Sequence, residues 1–284
     1  MFPMKFNPQH QDTQPGLEAL MNPKPTSEKP DYKACEKLLN KVALITGGDS
    51  GIGKAIALAF ASEGADIVIV YLNEEVDAKE TKAMIEKKGR SCLTIAGDLG
   101  DESFCQKVIN DTITTFGHID ILVNNAAVQY PQNSILDITS EQLQLTFKTN
   151  IFSIFYLTKA ALPHLKKGCS IINTSSITAY AGHETLIDYS ATKGAITTFT
   201  RSFSLNLASE GIRVNAVAPG PIWTPLIPSS FSKEEVSKFG TTTPMGRAGQ
   251  PCELAPAYVY LASEDSSYVS GQVIHVNGGK ITES

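Results

Sequence analysis

From Lys41 onward, short, mostly continuous apolar runs alternate with longer stretches whose apolar residues recur at three- and four-residue spacing. The runs fall at residues 42–45, 67–70, 93–95, 119–123, 170–173, 214–217 and 273–276. Continuous rather than alternating apolarity marks a strand covered on both faces. The intervening stretches predict helices over 51–63, 75–88, 102–116, 140–162 and 189–209, long enough to serve as crossover connections. Strand and helix alternating through the whole body imply an α/β fold: one doubly wound parallel sheet of about seven strands with helices on both faces.

Residues 1–38 break this pattern. They are rich in Pro, Gln, Asn and Lys, with Gln14-Pro15-Gly16 and Asn22-Pro23-Lys24-Pro25, and lack sustained periodicity. They predict an irregular extension, either a surface arm or a clasp on a neighbouring subunit, ahead of a single domain over 39–284. At 284 residues and 42% hydrophobic content, such a domain can bury a large core.

Charge and cysteine content narrow the setting. A net charge of −5 speaks against a nucleic-acid surface, and the basic spots at 87–90 and 166–167 read as solvated helix ends. Five cysteines without a Cys-x-x-Cys pair suggest neither a disulfide framework nor a zinc ribbon. No segment approaches the roughly 20 apolar residues that span a bilayer, so no membrane partner is expected and the cytoplasm is the expected location. The histidines (10, 118, 164, 183 and 275) have no metal-ligand spacing, and no metal is expected.

Two segments carry candidate chemistry. Thr46-Gly47-Gly48-Asp49-Ser50-Gly51-Ile52-Gly53 lies between the first strand and the first helix. Glycines at 47, 51 and 53 permit a tight turn and close approach of backbone to a pyrophosphate at a helix N-terminus. Further on, Tyr189-x-x-x-Lys193 places a phenol and an ammonium one helical turn apart. A reaction that leaves negative charge on a substrate oxygen calls for an acid and a polarising donor. A tyrosine serving near neutrality needs a shift of about three units, roughly 4 kcal/mol, which a buried cation can supply. Asn173-Thr174-Ser175-Ser176 leaves a buried strand at the end where α/β sheets hold ligands; strand alternation favours Ser176 over Ser175 for the same side.

These segments together resemble the short-chain dehydrogenase/reductase family, over about residues 41–280. The likeness rests on Gly-x-x-x-Gly-x-Gly, on Ser176 thirteen residues before Tyr189, and on Asn124-Asn125-Ala126-Ala127, where Ala127 departs from the family's glycine. Asp98-Leu99 and Pro219-Gly220 followed by Thr224 are similar to the family's adenine and carboxamide contacts. The resemblance implies a Rossmann-type oxidoreductase with Asn150, Ser176, Tyr189 and Lys193 as catalytic tetrad. Ser176 would bind the substrate oxygen and Tyr189 exchange the proton. Lys193 would bind the nicotinamide ribose and lower the Tyr189 pKa, and Asn150 would position a water relay. Cofactor contacts would come from Gly47, Ser50, Gly51, Ile52, Gly53, Tyr71, Asp98, Leu99, Asn125, Tyr189, Lys193, Pro219, Gly220, Ile222 and Thr224.

The end of the second strand, Tyr71-Leu72-Asn73-Glu74-Glu75, offers no cation for a 2′-phosphate, which favours NAD over NADP. Lys54 is the one alternative cation, and its place in the helix points it along the surface. The resemblance also implies a lid over 222–249, a small carbonyl or alcohol substrate and a homotetramer, with Phe199 and Phe203 near an interface. The extension resembles a bacterial branch labelled glucose or ribitol dehydrogenases, so a sugar or polyol stands beside a generic ketone or aldehyde. His183, Glu184 and Trp223 are candidate substrate neighbours. A second reading is a dinucleotide-sensing protein of the same fold without catalysis, which would not need all four tetrad residues together.

Overall fold

The computed structural model describes residues 2–282. Met1, at the head of the expected extension, and Glu283 and Ser284, at the end of the expected domain, lie outside the described residues. Seven strands, β1 (Val42–Thr46), β2 (Asp66–Tyr71), β3 (Cys92–Ala96), β4 (Ile121–Asn124), β5 (Ser170–Thr174), β6 (Arg213–Pro219) and β7 (Val273–Val276), form one sheet in the order β3-β2-β1-β4-β5-β6-β7. Every neighbouring pair is parallel. The strand order reverses between β1 and β4, which opens a crevice at the carboxyl ends of these strands.

The helices are α1 (Gly51–Ser62), α2 (Glu75–Lys87), α3 (Glu102–Phe116), α4 (Ser140–Phe147), α5 (Ser153–Ala161), α6 (Thr178–Ala181), α7 (Ile187–Leu207), α8 (Lys233–Lys238) and α9 (Pro251–Ala262). Side-chain alternation splits each central strand between two cores. Ala43 and Ile45 of β1 pack with Phe60 of α1, Ile85 of α2 and Tyr258 of α9. Leu44, between them, faces Val108 of α3 and Leu157 of α5 on the opposite side. Burial on both faces explains the continuous apolarity of these strands.

Local chemistry sets the helix ends. The Asp101 carboxylate accepts from Ser103 N at 2.8 Å to start α3, and Gly117, at φ 81°, ends it. α8 opens with a Ser232–Glu235 capping box. The helix expected over 140–162 is not continuous: a π-helical turn, Lys148–Phe152, separates α4 from α5. That turn carries Asn150 inward, where its side chain binds Val128 and Thr192. The apolar pattern did not announce α9, which contains Pro256. Pro251 at its first turn and the Gln250–Glu253 capping box are the signals that mark its start.

Residues 2–38 hold one regular turn, Glu18–Leu20, and lie against their own body. Phe6, Glu18, Met21 and Leu38 are buried there. Phe6 stacks on Trp223 with ring centroids 3.7 Å apart, and Trp223 Nε1 donates to the Pro23 carbonyl at 2.9 Å. Trp223 is therefore a packing anchor rather than a substrate neighbour.

Phe60, fully buried between α9 and the sheet, provides a stability test. Phe60→Ala should cost about 3–5 kcal/mol in urea unfolding of the purified protein. A loss below about 1 kcal/mol would show that this layer is not the core described.

Candidate active site

The site grows from three chain segments that leave the sheet at the crevice. After β1, Gly47 and Gly51 adopt φ of 59° and 51°, which a side chain would strain. A Cβ on Gly53 would sit 1.8 Å from the Gly47 carbonyl oxygen, so this position admits only glycine. After β4, Asn125 Nδ2 donates to the Thr46 carbonyl at 3.0 Å and the Gly47 carbonyl at 3.3 Å, fixing the turn from outside. After β5, Thr174 Oγ1 donates to Asn125 Oδ1 at 3.2 Å, while the Thr174 carbonyl accepts from Lys193 Nζ at 2.8 Å. Helix α7 and the glycine turn are thereby joined by one chain of hydrogen bonds.

These segments wall a cleft of about 910 Å³. Ser176, Tyr189 and Lys193 all line it, together with every expected cofactor contact except Gly53, which acts beneath the turn. Asn150 does not reach the wall. Its Oδ1 accepts from Val128 N at 2.9 Å, and its Nδ2 donates to Val128 O at 3.0 Å and Thr192 Oγ1 at 3.1 Å. The side chain is used up in joining the β4 exit loop to α7.

Burial governs the electrostatics. Desolvation pushes the Tyr189 phenol up to about 12, and the hydrogen bond from Ser176 only partly offsets it. The same desolvation brings the Lys193 ammonium down to about 7. The expected lowering of the Tyr189 pKa by Lys193 is not produced by the polypeptide: Nζ turns to the Thr174 carbonyl and lies 5.4 Å from the Tyr189 ring centroid. Ser176 Oγ accepts from Thr178 N and Thr178 Oγ1, both at 3.1 Å, which leaves its proton to be given into the cleft. Ser175 instead binds Thr197 Oγ1 and the Lys193 carbonyl, on the far side as strand alternation requires.

Two features escaped the sequence. Asp49, inside the glycine turn, is buried, and burial together with the nearby Glu74 carboxylate raises its pKa to about 7. Its sequence signal was an acid between the glycines, away from the end of β2 where an acid is usually sought. The other feature is the Gln14-Pro15-Gly16 turn of the extension, which forms part of the cleft wall. Lys54 also departs from expectation. It does not run along the helix surface but is buried, donating to Glu18 at 2.9 Å and Glu80 at 2.8 Å. A cation so paired is not free for a ribose phosphate. Glu18 Oε2 also accepts from Gly51 N at 2.8 Å, capping the start of α1. His183 and Glu184 both lie on the cleft wall.

Comparison with known proteins places this geometry. A family model described as enoyl-(acyl carrier protein) reductase matches residues 47–280. A short-chain dehydrogenase of Burkholderia cenocepacia, solved in complex with NADP, superposes with a TM-score of 0.81 at 29% identity, covering 86% of this chain and 98% of that one. The chain belongs to the short-chain dehydrogenase/reductase family. It is 66% identical to the oxidoreductase YhxC of Bacillus subtilis, covering 96% of this chain and 95% of the relative. It is 53% identical to the glucose and ribitol dehydrogenase of carrot, Daucus carota, covering 98% and 97%. As a member of the family the protein is an oxidoreductase, and its sheet is the family's Rossmann-type fold.

The burial of Lys193 has a measurable sign. Its pKa falls from 10.5 to about 7 on folding, so between these values the native chain binds fewer protons than the unfolded one. This group therefore adds stability as pH rises from about 7 to 10.5, by up to about 1.4 kcal/mol per pH unit. Tyr189, whose pKa is raised, opposes this only above about pH 10. Urea unfolding of cofactor-free protein between pH 7 and 9.5 should show this slope in the wild type minus Lys193→Met difference. A flat difference would mean that Lys193 keeps its charge in the fold.

Proposed function

We propose that the protein interconverts a small polar carbonyl compound and its alcohol, with Tyr189 as the group that gives or takes the proton. The observation that carries this reading is the convergence of Ser176, Tyr189 and Lys193 on the cleft that also holds the glycine turn. The residues fit a nicotinamide dinucleotide. Gly47 and Gly51 bring bare backbone to the wall, and the N–H groups of Ile52 and Gly53 follow the one that Glu18 occupies. Bound there, the cofactor would supply or accept the hydride, and its oxidised ring would bring positive charge that favours the phenolate.

The chain's own residues divide the remaining work. Ser176, whose proton faces the Tyr189 phenol, would turn it to the substrate oxygen and polarise the carbonyl. Tyr189 delivers the proton to that oxygen as hydride arrives, and takes it back in the reverse direction. Lys193, held by the Thr174 carbonyl, is placed to meet the ribose hydroxyls. Asn150 serves by fixing Val128 and α7, so a relay water would be held by the backbone of the π turn rather than by its amide.

Gln129, Tyr130, His183 and Glu184 place polar groups on the cleft wall, which suits a hydroxylated substrate, and the carrot relative's name points the same way. NAD is the preferred cofactor in this reading. Asp49 and Glu74 are buried beside the end of β2, and Lys54 is already paired, so a 2′-phosphate would meet no free cation. The domain over 39–284, its lid at 222–249 and the amino-terminal extension act as one unit. Among the described residues no helix is long and apolar enough to cross a membrane, and four of the five cysteines are buried thiols, which accords with a reducing cytoplasm. A homotetramer is supported by the aromatic face that α5 and α7 share, where Phe155 stands half exposed against Phe199.

Tyr189→Phe tests the mechanism. Turnover of sugars, aldehydes or ketones should fall by about 10²–10⁴-fold, while NADH still binds, followed by its fluorescence, and NADH binds more tightly than NADPH. Full turnover in the variant, on any substrate the wild type accepts, would remove Tyr189 from the chemistry.

A further inference from the structure

We propose that the amino-terminal extension is a strap that sets the width of the substrate cleft, with Gln14 as the positioning residue that fastens the lid to the opposite wall. The inference rests on the functional reading above for what passes through the cleft, but the strap itself is argued from contacts alone.

The two ends of the strap are anchored separately. At one end, Glu18 is buried against Gly51 N and Lys54, and the Asp77 carboxylate accepts from Glu18 N at 2.6 Å and Ala19 N at 3.0 Å. At the other, Phe6 stacks on Trp223 at the root of the lid, and Gln11 N donates to Pro228 O at 2.8 Å. Between them, Gln14, Pro15 and Gly16 form part of the cleft wall. Gln14 Nε2 donates to the Gln129 carbonyl at 2.5 Å, and Gln14 Oε1 accepts from Gln129 N at 3.2 Å. The same amide lies 3.4 Å from both Ser229 O and Ser230 Oγ. One side chain thus spans from the loop after β4 to the lid after β6, above the cleft that Tyr189 lines.

Close packing leaves the lid root little freedom. A Cβ on Gly16 would come 2.5 Å from the Pro225 carbonyl oxygen, and a Cβ on Gly51 would come 3.1 Å from Thr224 Cβ. Thr224-Pro225 is therefore held between the strap on one side and the glycine turn on the other. A lid fixed at its root and tied at Ser229 and Ser230 admits substrates of bounded size, and the strap, not the lid alone, sets that bound. Removing the Gln14 ties leaves residues 226–231 and 128–130 joined by the long 3.4 Å contact of Ser230 Oγ with the Gln129 carbonyl, so that the two segments separate more readily, whereas the anchors at Glu18 and Phe6 keep the strap in place.

Hydrogen–deuterium exchange on the full-length protein with NADH bound, for wild type, Gln14→Ala and Gln14→Asn, reads this directly. Loss of two or so hydrogen bonds predicts exchange about tenfold faster at 226–231 and 128–130 in Gln14→Ala, with unchanged rates in β1 and α1. Gln14→Asn, one methylene short, should fail to restore protection. Steady-state kinetics on straight-chain aldehydes should then show kcat/KM for decanal rising about fivefold or more relative to butanal, with KM for NADH unchanged. Unchanged exchange at both segments in Gln14→Ala overturns the strap, whatever the enzyme turns over. Faster exchange with an unchanged decanal to butanal ratio overturns its part in selecting substrate. Absence of any carbonyl turnover in wild type would overturn the functional reading, and the exchange result would still decide the strap.

Discussion

A lysine ammonium taken out of water with one carbonyl for company is the constraint around which this molecule is arranged. Lys193 is fully buried and its Nζ reaches the Thr174 carbonyl. Burying such a charge is costly unless it is compensated, which is why its pKa is driven down. The residues that tolerate this cost are the ones that shape the site. Thr174 also holds Asn125, Asn125 holds the glycine turn, and Asn150 holds α7 to the loop after β4. Tyr189 suffers the same burial and is pushed the other way, toward the neutral phenol. The polypeptide by itself therefore presents a neutral phenol beside a weakened cation.

That arrangement gives the extension and the lid their meaning. Electrostatic work in the cleft depends on keeping water out. The lid is fastened by Trp223 beneath Phe6 and by Gln14 across the mouth, so closure is built into the chain rather than left to a free loop. The strap's other anchor, Glu18, lies on the first amide of α1. Lid root, glycine turn and strap thus share Thr224, Gly51 and Gly16 as near neighbours.

The fold was largely legible because strands buried on both faces, β1 and β2 above all, read as nearly continuous apolar runs, while the edge strands β3 and β7, only partly buried, still read as short apolar segments between helices. That Ser176, Tyr189 and Lys193 share one cleft was legible because their meeting depends on spacing along one strand exit and one helix. What the sequence hid depends on contacts across long separations. Lys54 looked like a surface cation because nothing near it in sequence announces Glu18 as its partner. Residues 1–38 looked like a loose arm because Phe6 and Gln14 act through residues more than a hundred positions away. The π turn at Asn150 was hidden too, since no Pro, Gly or capping pattern in Lys148-Thr149-Asn150-Ile151-Phe152 interrupts the helix. The role of Asp49 is hidden in the sequence because the glycines on either side of it explain the turn without it.

The central claim is that burial alone leaves Tyr189 protonated and that the bound oxidised cofactor brings its ionisation toward neutrality. Titrating tyrosine ¹³Cζ resonances by NMR, with Tyr189 assigned by difference from Tyr189→Phe, reads that ionisation directly. The account predicts that Tyr189 keeps its proton to about pH 12 in the cofactor-free protein and loses it several units lower when NAD⁺ saturates the site. A Tyr189 that already titrates near neutrality in the free protein, or one whose titration does not move on saturation, would contradict it.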